Sequence, residues 1–184
     1  MKNYIITSFL LILLINIKPF KAEYTVSAEE EQTLFIYKDI KTVKAYFEHL
    51  DIYTKNFPDI DSILPKDNIE STWFYKVEIV LQKPFTVAFD EVKINDDDST
   101  LVFESKQPAN NYLYWKATFI PYSETQTTVK IKIKVSMTRE SASDIHFLAP
   151  IVGKKMVCSQ MKDKLEEGMK EFINKTTQDL YKKN

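Results

Sequence analysis

Few side chains in this 184-residue sequence combine a reactive type with a position suited to chemistry. Arg139 is the only arginine, and it continues the alternating run that begins at Val129, so a strand would carry it on the same face as Met137. A guanidinium at the mouth of an apolar pocket can hold a carboxylate or phosphate through two parallel hydrogen bonds. The alternative is a frayed strand end, at which Arg139 is solvated or paired with a surface acid.

Acid-base chemistry has two candidates, His146 and Glu91. His146 precedes the last predicted helix, and Glu91 interrupts the alternation of a strand, but a solvated histidine and an outward glutamate at a bulge are the simpler interpretations. Two glycines are too few for a phosphate-binding or dinucleotide-binding loop, and one cysteine with two distant histidines argues against a zinc site. We therefore predict no catalytic residue, no metal and no cofactor. This favours a protein that is not an enzyme, without deciding the question.

Bulky apolar side chains occupy positions that the predicted strands and the last helix turn inward. They are Trp73, Tyr75, Phe89, Phe103, Trp115, Met137 and Met161. Such residues can line a ligand cavity, in which Tyr75 or Trp115 would offer a hydrogen-bonding group and the flexible methionines would adapt to ligands of different shape. They can equally fill the interior as a solid core. Together with Arg139 they form the predicted ligand-binding set.

The amino terminus has the pattern of a secretory signal. An uncharged run rich in Ile, Leu and Phe extends from Tyr4 to Ile17 and is shorter than the roughly 20 residues that a helix needs to span a bilayer. We predict a signal peptide over residues 1–22, cleaved to release an exported chain, secreted or periplasmic; membrane anchoring is the alternative. Its removal leaves 22 basic and 26 acidic residues, a net charge of −4, which disfavours nucleic acid as a partner.

The next segment predicts a strand and two short helices. After a lead over residues 23–29, a β-rich run at 33–37 predicts the first strand. Helices are predicted at 39–50 and 51–56, and the second must end before Pro58 because the residue before proline avoids helical geometry.

The rest of the chain changes its period twice. From Ile60 to Met137 apolar residues alternate, which predicts about six strands; the gaps between them are too short for crossover helices, so the strands are antiparallel. From Pro150 an amphipathic helix of about 30 residues reaches the carboxy terminus. Its apolar stripe requires the sheet as a partner, which predicts one α+β domain.

This order of elements resembles the START-like helix-grip superfamily (SRPBCC, birch pollen allergen-like, with polyketide cyclases and lipid carriers). The text from Asp39 to Phe57-Pro58 is similar to the superfamily's two helices that end at an aromatic-proline pair, and Leu148-Ala149-Pro150 is similar to its proline-bearing start of the last helix. The resemblance implies a single domain over residues 30–184. It also implies a six- to seven-stranded antiparallel sheet wrapped around the C-terminal helix, with a cavity between them.

Three functions follow from the resemblance and the residues. The leading hypothesis is an exported protein that binds or carries an apolar small molecule, lipid-like in character, between the sheet and the last helix. One alternative is a cyclase or hydratase on the same fold, which would use His146 or Glu91. Another is an interaction module with a filled core, whose outer face binds a protein or makes transient contact with a membrane.

Overall fold

The computed structural model describes four stretches of the chain, residues 23–77, 84–106, 110–145 and 148–182. The predicted signal peptide, residues 1–22, and the candidate base His146 lie outside them.

Within these stretches the chain forms seven strands and four α-helices. The strands are β1 (Tyr24–Ile36), β2 (Ile60–Pro65), β3 (Glu70–Val77), β4 (Phe85–Asp96), β5 (Thr100–Glu104), β6 (Asn111–Ser123) and β7 (Gln126–Arg139). The helices are α1 (Ile40–Glu48), α2 (Asp51–Asn56), α3 (Ala149–Val152) and α4 (Lys154–Tyr181), with a 3-10 turn at Ala142–Asp144.

All the described strands belong to one antiparallel sheet, in the order β1-β7-β6-β5-β4-β3-β2. β1 and β2 lie at opposite edges, so α1 and α2 form the connection that crosses the sheet between them. The buried residues of the strands share one core with the apolar stripe of α4. The predicted helix-grip architecture is therefore confirmed.

β1 is longer than the sequence pattern predicted. It begins at Tyr24, opposite Arg139 of β7, so most of the segment 23–29 belongs to the sheet rather than to a lead. The pattern failed because Glu30 and Gln32 stand at the inward positions between buried residues, where they hydrogen-bond to each other at 2.7 Å. An inward charge on an edge strand also protects that edge from pairing with another chain.

α1 and α2 follow from local capping and from a proline. The Asp39 carboxylate accepts a hydrogen bond of 3.0 Å from the backbone N–H of Thr42 at the start of α1. α1 then buries Val43 and Phe47 against the core. α2 ends immediately before Phe57 and Pro58, as predicted.

The last helix is divided, in contrast to the continuous helix that the sequence predicted. Gly153 has a backbone φ of +80°, a conformation that residues with a Cβ adopt only with strain, and it separates α3 from α4. Beyond it, α4 buries one stripe along its whole length, comprising Val157, Leu165, Gly168, Met169, Phe172, Thr176 and Leu180. No helix in the described part of the chain has the length and apolarity to cross a membrane.

A polar cluster holds the carboxy-terminal half of α4 against α2. The buried Asn56 amide donates a hydrogen bond of 3.3 Å to the Thr176 hydroxyl. The Asp179 carboxylate forms ion pairs with Lys182 at 2.8 Å and Lys55 at 2.7 Å, and hydrogen bonds from these two lysines lower the pKa of Asp179. This end of the helix is therefore fixed, and any cavity must lie towards its amino-terminal half.

Candidate ligand-binding site

A cavity of about 60 Å³ lies between the amino-terminal half of α4 and the inner face of the sheet. β3, β4, β7 and α4 contribute to its wall, together with Asp59 from the turn before β2. Its position is the one that the helix-grip resemblance implied.

The wall of the cavity is mainly apolar. Side chains two apart on a strand, or four apart on a helix, share a face, and these spacings bring the wall residues together. They are Phe89, Val135 and Met137 from the sheet, and Val157, Met161 and Leu165 from α4. Three members of the predicted binding set, Phe89, Met137 and Met161, therefore line the cavity.

Tyr75, a fourth member of the predicted set, forms the polar end of the cavity together with Asp59. The Tyr75 hydroxyl donates a hydrogen bond of 3.0 Å to Oδ2 of Asp59. Burial, the nearby Asp59 carboxylate and this hydrogen bond raise the pKa of Tyr75 well above 10. Tyr75 therefore keeps its proton at neutral pH and orients the carboxylate of Asp59.

Long side chains form the rim of the cavity. Gln160 and Lys164 of α4 and Lys76 of β3 line it, and both lysines are exposed to solvent. Lys164 also pairs with Glu167 at 3.0 Å. The rim can therefore rearrange at low cost, because unbranched side chains have several accessible rotamers.

Gly168 brings α4 close to the turn that carries Asp59. A Cβ at this position would lie 2.8 Å from Cε1 of Phe57 and 3.1 Å from Oδ2 of Asp59. Both distances are shorter than an ordinary van der Waals contact. The missing side chain at Gly168 thus allows the helix, the Phe57 ring and the Asp59 carboxylate to pack together beside the cavity.

The interior beyond the cavity is solid. Trp73, Phe103 and Trp115 are buried there and do not line the cavity. Their rings pack around Tyr53, with centroid distances of 5.3 Å to Trp73, 5.2 Å to Phe103 and 5.3 Å to Trp115. The sequence left open whether these three aromatic residues line a cavity or fill the core, and in the structure they fill the core. The space between helix and sheet is therefore not one large cavity.

Arg139 is partly buried at the end of β7 and lies outside the cavity lining. Its guanidinium donates to the carbonyl of Thr138 at 2.8 Å, to the Asn111 side-chain oxygen at 2.9 Å and to the Asn110 carbonyl at 3.3 Å. These bonds connect β7 to the start of β6. In the described part of the chain, Arg139 therefore stabilises the contact between the end of β7 and the start of β6.

Of the candidate acid-base groups from the sequence, Glu91 does not line the cavity. Glu91 lies at the expected bulge of β4, with a φ of +50° and a register shift against β3, and its carboxylate pairs with Lys106 at 2.8 Å on the surface. His146 lies outside the described residues. No group of three or more His, Cys, Asp or Glu side chains in the described stretches is arranged to hold a metal ion.

Among the cavity residues that the sequence analysis missed, Asp59 is the one that forms the polar end with Tyr75. Its only local signal is its place directly after the Phe57-Pro58 pair. It lies 16 residues from Tyr75, so no motif joins the two; the pair forms because β2 and β3 are hydrogen-bonded neighbours, with Ile60 opposite Tyr75. The roles of the predicted set and of Asp59 in ligand binding stay predictions.

Comparison with solved structures places the fold among START-like proteins. The Zhui aromatase/cyclase from Streptomyces sp. R1128 superimposes with a TM-score of 0.59 and 13% identity, over 84% of this chain and 93% of the other. A START superfamily protein from Mycobacterium smegmatis superimposes with a TM-score of 0.53 and 11% identity, over 82% of this chain and 97% of the other. A protein from Thermus thermophilus superimposes with a TM-score of 0.52 and 15% identity, over 83% of this chain and 97% of the other.

The sequence itself matches no family model, and no curated protein matches it. Identities of this size show a shared fold alone. The chain has the helix-grip fold that these structures share, with a small apolar cavity at the place where that fold brings sheet and helix together.

Proposed function

We propose that this chain binds a small apolar molecule that carries one hydrogen-bonding group, in the cavity beneath α4. The observation that supports this most directly is the chemistry of the cavity. Its walls are apolar, and one end holds the Tyr75–Asp59 pair, with an oriented carboxylate as hydrogen-bond acceptor. A few placed polar groups in an apolar pocket are typical of small-molecule sites.

The size of the cavity restricts the ligand. Pockets that enclose a drug-sized molecule measure roughly 300–1,000 Å³, whereas this cavity measures about 60 Å³. A compact ligand fits the proposal best. A lipid-like ligand would enter by one end and displace the side chains of Met161 in the wall and Gln160 at the rim, both of which can change rotamer. On the pattern of residues 1–22, we further propose that the chain acts after export.

The first experiment asks whether the cavity is the binding site. The full chain is titrated with p-cresol and hexanol under ligand-observed NMR, and native mass spectrometry follows incubation with a mixed lipid extract. Met161→Trp fills the cavity and is expected to weaken binding at least tenfold. Met156→Trp is the matched control, because Met156 lies on the same helix and is half exposed outside the cavity. A chain that takes up nothing, or equal binding by both variants, would contradict the proposal.

The second experiment asks whether the Tyr75–Asp59 pair recognises the polar group of the ligand. Tyr75→Phe removes the hydroxyl that donates to Asp59, and a hydrogen bond to a charged group contributes about 1.5–3 kcal/mol. We therefore expect the affinity for p-cresol to fall about tenfold in this variant and in Asp59→Asn. Toluene, which lacks the hydroxyl, should bind all three proteins alike. A parallel change for toluene would show that the pair only shapes the cavity.

A second candidate function is catalysis of the cyclase or hydratase kind. The observation that favours it is a titratable pair, Tyr75 and Asp59, at the polar end of an apolar cavity; one of the structural neighbours is named an aromatase/cyclase. Asp59 would take the proton and Tyr75 would orient it. If the chain turns over a bound compound, Asp59→Asn should lose at least 100-fold in rate, which is more than its tenfold effect on affinity explains. An unchanged rate in this variant would exclude the assignment.

A further inference from the structure

α3 and the first turn of α4 expose large apolar side chains to solvent. Ile151 is 80% exposed, Met156 50% and Val152 36%. We call these three residues the α3 patch. Gly153 lies between them, and no atom of the described residues is within 4 Å of the position that its Cβ would take. Single exposed apolar residues are common, but a cluster of this kind marks an interaction surface.

The charge around the α3 patch is positive. The first eleven residues of α4, from Lys154 to Lys164, contain four lysines and one acid, Asp163, and all five charged side chains are exposed. The acid of the preceding turn, Asp144, is engaged in a capping box with Ser141. Apolar residues surrounded by lysines complement an anionic lipid surface, where each lysine near the membrane is worth about fivefold in partitioning.

The α3 patch lies at the end of the molecule that holds the cavity rim. Val157 and Met161, which line the cavity, follow Met156 on α4. The start of β1 is at the same end, because Tyr24 pairs with Arg139, the last residue of β7 before the turn that leads to α3.

We propose that the α3 patch docks on an anionic lipid bilayer. Ile151, Val152 and Met156 enter the headgroup region, Lys154 and Lys155 contact anionic lipids, and the cavity rim then faces the membrane. A ligand could pass between bilayer and cavity without crossing bulk water. The docking surface itself does not depend on occupation of the cavity.

The test uses a local probe, because the run Tyr4–Ile17 can bring the full chain to vesicles by itself. In a Cys158→Ser background, Ile151→Cys is labelled with the fluorophore NBD. Tyr122→Cys is the matched control, since Tyr122 is 77% exposed and lies near the start of β7, at the opposite end of the sheet. Vesicles contain phosphatidylcholine and phosphatidylglycerol at 3:1, with nitroxide-labelled acyl chains as quenchers. We expect quenching and a blue shift at position 151 and neither at position 122.

The contribution of charge is tested by replacing two lysines. Lys154→Gln with Lys155→Gln should reduce docking about 25-fold, from about fivefold per lysine. Lys130→Gln with Lys134→Gln makes the same change in charge on exposed positions of the sheet's outer face, and should have little effect. Docking should also be weaker on pure phosphatidylcholine.

Three results would overturn the proposal. One is an unquenched probe at position 151 on protein that sediments with vesicles. The second is equal quenching at positions 151 and 122. The third is shielding of position 151 by a second copy in the absence of vesicles. Met161→Trp should dock as the parent does, so a failure of ligand binding and a failure of docking give separate results.

Discussion

Replacement of Gly168 by alanine tests the packing that positions Asp59. Gly168 is buried on α4, and the added Cβ would lie 2.8 Å from Cε1 and 3.0 Å from Cζ of the Phe57 ring, and 3.1 Å from Oδ2 of Asp59. Phe57 is fully buried, with its ring 5.9 Å from that of Trp115 and 6.1 Å from that of Phe172. Two neighbouring rings therefore restrict the movement of the Phe57 ring.

Two effects of opposite sign decide the free energy of unfolding of this variant. Alanine in the interior of a helix is favoured over glycine by about 1 kcal/mol. Insertion of a methyl group into a packed core costs about 1–3 kcal/mol. We expect the second effect to prevail because three heavy atoms lie within 3.1 Å of the new carbon. The net loss is about 1 kcal/mol, or roughly 2–4 °C in Tm for a chain of this size.

The assay is urea unfolding followed by far-UV circular dichroism. Ser159→Ala serves as the control, because Ser159 is exposed on the same helix and reports the gain in helix propensity without a clash. The control should be slightly more stable than the parent. Gly168→Ala should be less stable, and it should bind p-cresol more weakly because Asp59 is displaced.

A gain of about 1 kcal/mol in Gly168→Ala would refute the reasoning, since it would show that helix propensity alone acts at this position. A double-mutant cycle gives a second check. Phe57→Leu removes the ring atoms nearest to the added carbon, so Gly168→Ala should become stabilising in that background. Additive effects of the two substitutions would show that Phe57 and Gly168 do not interact.

Three further predictions concern polar groups that are buried or half-buried. Asp179→Asn should lose about 1–3 kcal/mol at pH 7. The pKa of Asp179 is lowered in the folded chain, so this penalty should shrink as the pH falls below about 4, where the unfolded chain takes up a proton before the folded carboxylate does. Urea midpoints measured from pH 7 to pH 2 test this, and a penalty independent of pH would contradict it. Burial and, secondarily, Asp179 raise the pKa of Tyr46 to about 12, so parent stability should fall from about pH 10 upward, and Tyr46→Phe should flatten that slope in the same assay. Trp73→Phe should cost about 1 kcal/mol more than Trp115→Phe, because the Trp73 indole donates to Ser71 at 2.9 Å whereas the buried Trp115 indole has no acceptor among the described residues. Equal losses on urea unfolding would show that the hydrogen bond contributes little.

The periodicities of the sequence were sufficient for most of the architecture. The alternation from Val129 to Met137 predicts the inward face of β7, and all five apolar residues of that run are buried. The break in alternation near Glu91 predicts the bulge that β4 contains. These predictions succeed because the position of a residue along a strand decides whether it faces the core, and the alternation of apolar and polar residues in the sequence shows that position.

The errors occur where a local pattern meets a nonlocal requirement. The first half of β1 was not predicted, because the polar residues Glu30 and Gln32 occupy inward positions on this edge strand and interrupt the apolar alternation. Gly153 divides the last helix, which its amphipathic pattern gave no reason to expect. In each case the neighbouring elements determine the outcome, and the sequence window does not include them.

The sequence by itself determined the helix-grip order of elements and an interior rich in aromatic residues, because hydrophobic periodicity and helix-ending residues act over a few positions. Only the tertiary structure decided that Trp73, Phe103 and Trp115 fill the core while Tyr75, Phe89, Met137 and Met161 surround a cavity. It alone joined Asp59 to Tyr75. The physical reason is that a cavity is the space left over after every element has packed, and its volume depends on distances between residues that are remote in the chain.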